Sequence, residues 1–279
     1  MPQTTGLKRD VKDKYYTNPK TVTTCMNIIT KHLNIGNADV CIEPSAGNGA
    51  FIEKIKSITQ NNIFYDIEPE NDDIIKQDYL ALDPKDISKK YKKIHVIGNP
   101  PFGRQSSLAI KFIKKSTEFC DSISFILPKS FKKDSLKKHF PLKFHLETEI
   151  EIPTNSFLIN NKPHNVPCVF QIWIKKSTER TPPITFTPNN FKFVKKTEEH
   201  DISFRRVGVY AGELDTITEN KSIQSHYFIK FHSILTEEQL NKLKNINYDN
   251  RNNTVGPRSI SKPELIKEFN AVLDINSSP

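Results

Sequence analysis

The sequence predicts an α/β fold: a doubly wound sheet over residues 1–180, followed by a small α+β module over residues 181–279. Three observations predict it. Short apolar runs alternate with amphipathic stretches of helical spacing through about residue 176. Several of those runs end in turns rich in acidic residues, Gly or Pro, the edge at which open α/β sheets hold ligands. Beyond Thr181-Pro182-Pro183 the alternation weakens into short β-like and helical pieces, which sets a domain boundary near residue 180. At 279 residues, 36% hydrophobic and 10% aromatic, the chain can bury a sizeable core.

Taken in order, residues 1–14 are polar and charged and are expected to fray. From Lys20 to Leu33, Val22, Met26, Ile29 and Leu33 recur at helical spacing, with Thr17 or Asn18 as N-cap and Pro19 at the first helical position. Ala38 to Ile42 reads as a strand running into Glu43-Pro44-Ser45-Ala46-Gly47-Asn48-Gly49, and a helix over Phe51 to Ile58 follows. Gly47 and Gly49 allow either a tight structural turn or close approach of a ligand to the backbone. Asn62 to Tyr65 is the second strand, ending at Asp66-Ile67-Glu68-Pro69. Its acidic tip lies about 20 residues past the glycines, where such folds grip a ribose diol. Ile74-Ile75 leads to a third acidic and aromatic tip, Asp78-Tyr79.

The central stretch is His95-Val96-Ile97-Gly98-Asn99-Pro100-Pro101-Phe102-Gly103. An apolar run stopped by Gly and two prolines reads as a buried strand ending in a stiff turn. Each proline fixes its own φ and keeps the preceding residue out of the helical region, so Asn99 is held extended at the strand tip. A planar amide, free backbone carbonyls and an adjacent aromatic ring suit a flat group whose amine is gripped and whose face is stacked. An amphipathic helix follows over Ser107 to Phe119, capped by Ser106 or Ser107. Next comes an apolar strand over Ile123 to Leu127, leading to Pro128-Lys129-Ser130-Phe131. Two further strands, Phe144 to Ile152 and Val166 to Ile174, frame a loop from Pro153 to Pro167, and Trp173 is expected in the core. In the module, strands are expected over Phe191–Val194, Ile202–Val209 and His226–Phe231, and helices over Glu237–Leu243 and Pro263–Phe269. Arg205, Arg206, Arg251, Arg258 and Lys262 are its phosphate-contact candidates.

Composition narrows the function classes. The net charge is +9, and residues 85–176 hold 18 Lys+Arg against 7 Asp+Glu. Clustered lysine favours a polyanionic partner through counterion release, although a solvated Lys-rich surface has the same composition. No apolar run approaches the roughly 20 residues that span a bilayer. No signal-peptide core is visible, so an intracellular protein, cytoplasmic or nuclear and not secreted, is expected. Cys25, Cys41, Cys120 and Cys168 are far apart with no zinc-ligand spacing, and read as small buried hydrophobes in a reducing compartment; no metal is expected. Oligomeric state stays open.

The Glu-Pro and Gly-containing loop, the Asp66 tip, the Asp-Tyr pair and the Asn-Pro-Pro-Phe turn, in this order, resemble the class I S-adenosylmethionine-dependent methyltransferases. Within them the chain resembles the N6-adenine (amino) methyltransferases, over roughly residues 14–176. The resemblance implies a Rossmann-like methyltransferase fold and S-adenosyl-L-methionine as cofactor. Asn99, Pro100, Pro101 and Phe102 match the catalytic (D/N)PP(Y/F) motif. Tyr16 and Thr17 look like the segment at the methionine end of the cofactor, and Glu43, Ser45, Gly47 and Gly49 like the loop around it. Asp66 resembles the residue bound to the ribose hydroxyls and Ile67 the one against the cofactor adenine. Asp78 and Tyr79 resemble the pair at that adenine's amino edge and face, and Asn99 also borders the cofactor. Phe102, Phe157, Lys129 and Arg104 are the expected substrate contacts, with Phe157 either on the far face of the target base or a core or loop-anchoring ring. The partner implied is nucleic acid, DNA favoured over RNA because a distinct module follows the catalytic domain. Protein glutamine-N5 methylation and a silent nucleic-acid-binding subunit are the other readings.

Overall fold

The structure is a computed structural model that describes residues 15–274. The expected fraying of residues 1–14 lies outside the described residues. The chain divides into two compact units, one ending at Pro182 and the other beginning at Pro183. The first runs β1 (Tyr16–Thr17), α1 (Pro19–His32), β2 (Val40–Glu43), α2 (Ile52–Lys56), β3 (Asn62–Asp66), β4 (Ile75–Lys76), α3 (Lys85–Ser88), β5 (Ile94–Gly98), α4 (Ser107–Thr117), β6 (Ser122–Pro128), α5 (Asp134–Lys137), β7 (Phe144–Glu151), β8 (Phe157–Ile159), β9 (Lys162–His164) and β10 (Cys168–Lys175).

Seven of these strands form one sheet in the order β4-β3-β2-β5-β6-β10-β7. The first five pair in parallel, and β10 lies antiparallel between β6 and β7. The chain winds outward from β2 to β4, then returns to place β5 on the other side of β2. The ends of β2 and β5 therefore flank the topological switch point, the crevice where open α/β sheets bind ligands. The predicted doubly wound sheet is present.

Alternation along the strands builds two apolar layers. Val40, Ile42, Val96, Ile123 and Phe125 share one layer with Ala109, Phe112 and Ile113 of α4. Cys41, Phe64, Ile97, Ile126 and Phe170 share the other with residues of α1 and α2. Each fully buried large side chain contributes about 1.5–3 kcal/mol. Asn18 is the α1 cap, its side chain accepting the Lys20 N–H at 3.0 Å. Ser106 occupies the α4 cap position in a left-handed conformation, with no side-chain cap bond. Trp173 is core as expected, stacked on Phe140 at 4.0 Å. The four cysteines are buried thiols; burial pushes Cys41 up to about 12, with the Asp39 charge adding to it.

The Pro153–Pro167 segment differs from the expected loop. It carries the β8–β9 hairpin, and β8 pairs antiparallel with β1 through Tyr16↔Leu158 and Thr17↔Phe157. Strands of two or three residues carry too little alternation to be read from sequence.

The second unit runs β11 (Phe191–Val194), β12 (Ile202–Arg205), β13 (Leu214–Asp215), β14 (His226–Phe231), α6 (Glu237–Lys244) and α7 (Lys262–Leu273). Its antiparallel sheet has the order β11-β14-β12-β13. Phe191, Phe204, Ile229, Leu243, Leu265 and Phe269 belong to its own core. Capping boxes at Thr236/Gln239 and Ser261/Glu264 start the two helices. This is the expected α+β composition.

Candidate active site at the sheet switch point

Glu43 ends β2 and Gly98 ends β5, side by side. Gly98 has φ +149°, and a Cβ there would lie 3.2 Å from Glu43 Cγ, so glycine permits the close approach of the two tips. Asn99 follows. Its Nδ2 donates to the Tyr15 carbonyl at 3.4 Å and to Thr17 Oγ1 at 3.3 Å. A carbonyl only accepts, so this contact fixes which way the amide faces. Asn99 Oδ1 is thereby committed to a buried position with no hydrogen-bond partner. A buried acceptor left unsatisfied costs about 1–3 kcal/mol, a cost that a bound donor would remove.

The Pro-Pro-Phe turn is held from behind. Ser45 Oγ donates to the Asn99 carbonyl at 3.4 Å, and the Phe102 carbonyl accepts from the Leu108 and Ala109 N–H groups at 3.1 and 3.3 Å. The chain then passes through left-handed conformations at Gly103 (φ 67°), Gln105 (φ 53°) and Ser106 (φ 62°). For Gln105 and Ser106 that conformation costs roughly 1–2 kcal/mol each, strain held beside the turn.

On the other side, the loops after β2 and β3 are stitched together. Asp66 accepts the Gly47 N–H on Oδ2 and the Glu68 N–H on Oδ1, both at 2.8 Å, and the Glu70 N–H donates to the Gly47 carbonyl at 3.1 Å. Gly47 and Gly49 have φ of 55° and 83°, and a Cβ on Gly49 would come within 2.7 Å of Ile52 Cδ1. Tyr16 packs over this loop, and its hydroxyl donates to the Glu70 carboxylate at 2.8 Å. Ile67 is 63% exposed at the strand tip, an apolar face open to a flat ligand. Glu43 is 2% exposed, and its Oε2 lacks a partner. Burial raises its carboxyl well above the usual range, and the Asp66 charge raises it further. A cation reaching Glu43 would favour the ionised form.

Asn99, Glu43, Ser45, Gly47, Asp66, Tyr16 and Thr17 are thus linked across adjoining loops. Five expected site residues fall elsewhere or serve otherwise. Tyr79 is buried, its ring stacked on Phe112 at 5.6 Å and its hydroxyl paired with Ser116 at 2.8 Å, leaving no face for a cofactor adenine. Asp78 beside it caps the following 3-10 turn by accepting the Leu80 N–H at 2.9 Å. Phe157 is fully buried in the layer with α1 and α2 and has no face for a base. Instead it backs β1, which carries Thr17 to Asn99. Lys129 pairs with Glu151 at 3.1 Å on the surface, and Arg104 is exposed in the short turn after Gly103. Two participants were not anticipated: the Tyr15 carbonyl, a backbone group without a sequence signature, and Glu70, an ordinary exposed acid until Tyr16 is placed on it.

No protein-family model and no curated protein sequence matches the chain. Among solved structures it is similar to a protein of Pyrococcus horikoshii described as an RNA methyltransferase, at 15% identity and TM-score 0.45, over 61% of this chain and 92% of that one. It is also similar to a protein of Vibrio vulnificus described as a modification subunit of a type I restriction enzyme, at 12% identity and TM-score 0.44, over 59% and 46% of the two chains. A third is a protein of Listeria monocytogenes described as a class I S-adenosylmethionine-dependent methyltransferase, at 14% identity and TM-score 0.43, over 64% and 66%. The sheet order, with β10 antiparallel between β6 and β7, is that of the class I methyltransferase fold.

Proposed function

We propose that the chain transfers a methyl group from S-adenosyl-L-methionine to the exocyclic N6 of adenine in DNA. The buried, partnerless Oδ1 of Asn99 carries this reading. It is an acceptor fixed by a tethered Nδ2, at the tip of a strand and beside an aromatic ring. The adenine amine is a poor nucleophile because its lone pair is delocalised into the ring. Asn99 Oδ1 and the Pro100 carbonyl would accept its two N–H bonds, favouring a pyramidal nitrogen whose lone pair is available. This is positioning plus preorganised electrostatics. Phe102 would stack on the base, worth roughly 1–3 kcal/mol, and a duplex would have to release the base at a cost of a few kcal/mol.

The residues present fit the cofactor. Glu43, with its orphaned oxygen, suits the ammonium of the methionine end. Tyr16, Thr17, Ser45, Gly47 and Gly49 would surround that end; Asp66 would take the ribose hydroxyls and Ile67 the adenine face. When bound, the cofactor supplies an electrophilic methyl group. The basic segment 85–176, including Lys129 and Arg104, would attract the phosphates around the target base.

The test is transfer of a labelled methyl group to duplex DNA, single-stranded DNA, RNA and a protein extract, with the product identified by mass spectrometry. N6-methyladenine in DNA is expected. The same product in RNA alone would replace the substrate and keep the chemistry. Label on protein glutamine would overturn the nucleic-acid reading.

A further inference from the structure

The second unit exposes a surface that the proposed reaction does not use. Its loop from Gly208 to Gly212 is bounded by two glycines in left-handed conformations, φ 108° and 110°. At its tip Val209 and Tyr210 are 58% and 62% exposed. Three arginines donate to carbonyls in this loop or directly before it. Arg205 Nε donates to Val207 at 2.9 Å, Arg251 Nη1 to Ala211 at 3.4 Å and Arg258 Nη1 to Val209 at 3.5 Å. Gly208 N–H in turn donates to the Arg258 carbonyl at 2.9 Å.

The charge balance distinguishes these arginines from the rest of the unit. Among the described residues, every ion pair of this unit is made by a lysine. The three guanidinia donate to neutral carbonyls in the bonds described above. Each guanidinium has five N–H donors and uses one here in a hydrogen bond described above, so donors remain for a further acceptor. Glu213 directly follows the loop, and its N–H donates to the Tyr210 carbonyl at 3.1 Å. An exposed aromatic ring beside a fixed cluster of arginines matches a base and its flanking phosphates.

We propose that this loop is a binding platform for single-stranded nucleic acid, with Tyr210 stacking on a base and Arg205, Arg251 and Arg258 meeting the phosphates. A paired base offers no open face to Tyr210, so the single strand is the better ligand. The platform acts by binding alone and does not depend on methyl transfer.

The experiment is fluorescence anisotropy of the full chain without cofactor. The probes are labelled oligonucleotides of about 12 nucleotides, single-stranded DNA, single-stranded RNA and duplex DNA, with polyglutamate as competitor. Tyr210→Ala should weaken single-strand binding about tenfold, and Tyr210→Trp should retain it. Arg258→Gln should lessen the steepness of salt dependence by about 0.7 in the log–log plot. Unchanged affinity in Tyr210→Ala would overturn the proposal, as would a loss on duplex DNA equal to that on single strand, or competition by polyglutamate equal to that of the unlabelled oligonucleotide. A chain inactive in methyl transfer that still loses single-strand binding with Tyr210→Ala would separate the two readings.

Discussion

Asn99 and Glu43 stand at the tips of neighbouring strands, and each keeps one buried oxygen without a hydrogen-bond partner. The proposed chemistry rests on that shared defect. Asn99→Ala removes the acceptor but none of the loop-to-loop bonds around Asp66, so methyl transfer should be lost while the calorimetric affinity for S-adenosylmethionine changes little. Retained turnover would end the assignment of Asn99. Asp66→Ala should act the other way. It deletes two charge-assisted bonds to the Gly47 and Glu68 N–H groups, each worth about 1.5–3 kcal/mol, and should weaken cofactor affinity severalfold. An unchanged dissociation constant would contradict that role. Glu43 bears on pH. Its carboxyl titrates above its unfolded value, so in the folded chain it keeps a proton that the unfolded chain has already released. Stability therefore falls as pH rises from the ordinary carboxyl range toward the folded value. Glu43→Gln should melt with the wild type near about pH 4 and above it near about pH 7, by roughly 2–4 °C for each kcal/mol relieved. Equal melting at both pH values would show that the ionised carboxylate is already compensated in the folded chain.

Between the residue and the whole molecule stands the short ladder of β1 on β8. It brings Tyr15 and Thr17 to Asn99, and Phe157 fills the layer behind it. Phe157→Ala should cost about 3–5 kcal/mol in denaturant melts and slow methyl transfer with it, because the tether on Asn99 loosens. Phe157→Leu should recover most of both. A base-stacking Phe157 would instead slow transfer and leave stability untouched. This ladder also marks where sequence reading ends. β2, β3, β5, β6 and β10, with α1 and α4, were legible because four or more residues of period-2 or period-3.6 pattern announce their buried faces. β1 pairs with β8 across more than a hundred positions of chain, and β1, β8 and β9 have two or three residues each, too few to carry a pattern. The Asn-Pro-Pro-Phe turn was legible because proline stiffens the backbone whatever surrounds it. Tyr79 was not. Asp78 starts a 3-10 turn whose first residue swings its ring toward Phe112, and only the position of α4 shows that a partner waits there. Phe157 misled for the same reason, since an aromatic in a loop and one under a two-residue strand look alike in sequence.

At the scale of the molecule, the unit beginning at Pro183 has what independent folding requires. Its four-stranded sheet puts Phe191, Phe204, Ile229 and Phe231 into one core with Leu243, Leu265 and Phe269 of its two helices. Those helices satisfy their own first-turn N–H groups through Thr236/Gln239 and Ser261/Glu264. A core of this kind sits near the lower size limit at which burial outweighs chain entropy without disulfide or metal support. Its lysine–carboxylate pairs are mostly exposed and add little, so the apolar core must supply the margin. Residues 183–279 expressed alone should therefore unfold in one cooperative step, with a calorimetric enthalpy of about 60–80 kcal/mol at the midpoint. Phe269→Ala should abolish that step, since it removes a fully buried ring that meets Phe191 and Phe204 edge-on, a loss of about 3–5 kcal/mol from a small total. A broad melt with dye-binding apolar surface in the unsubstituted fragment would mean that this core is incomplete by itself. The boundary at Pro182 would then divide contacts without dividing the protein into folding units.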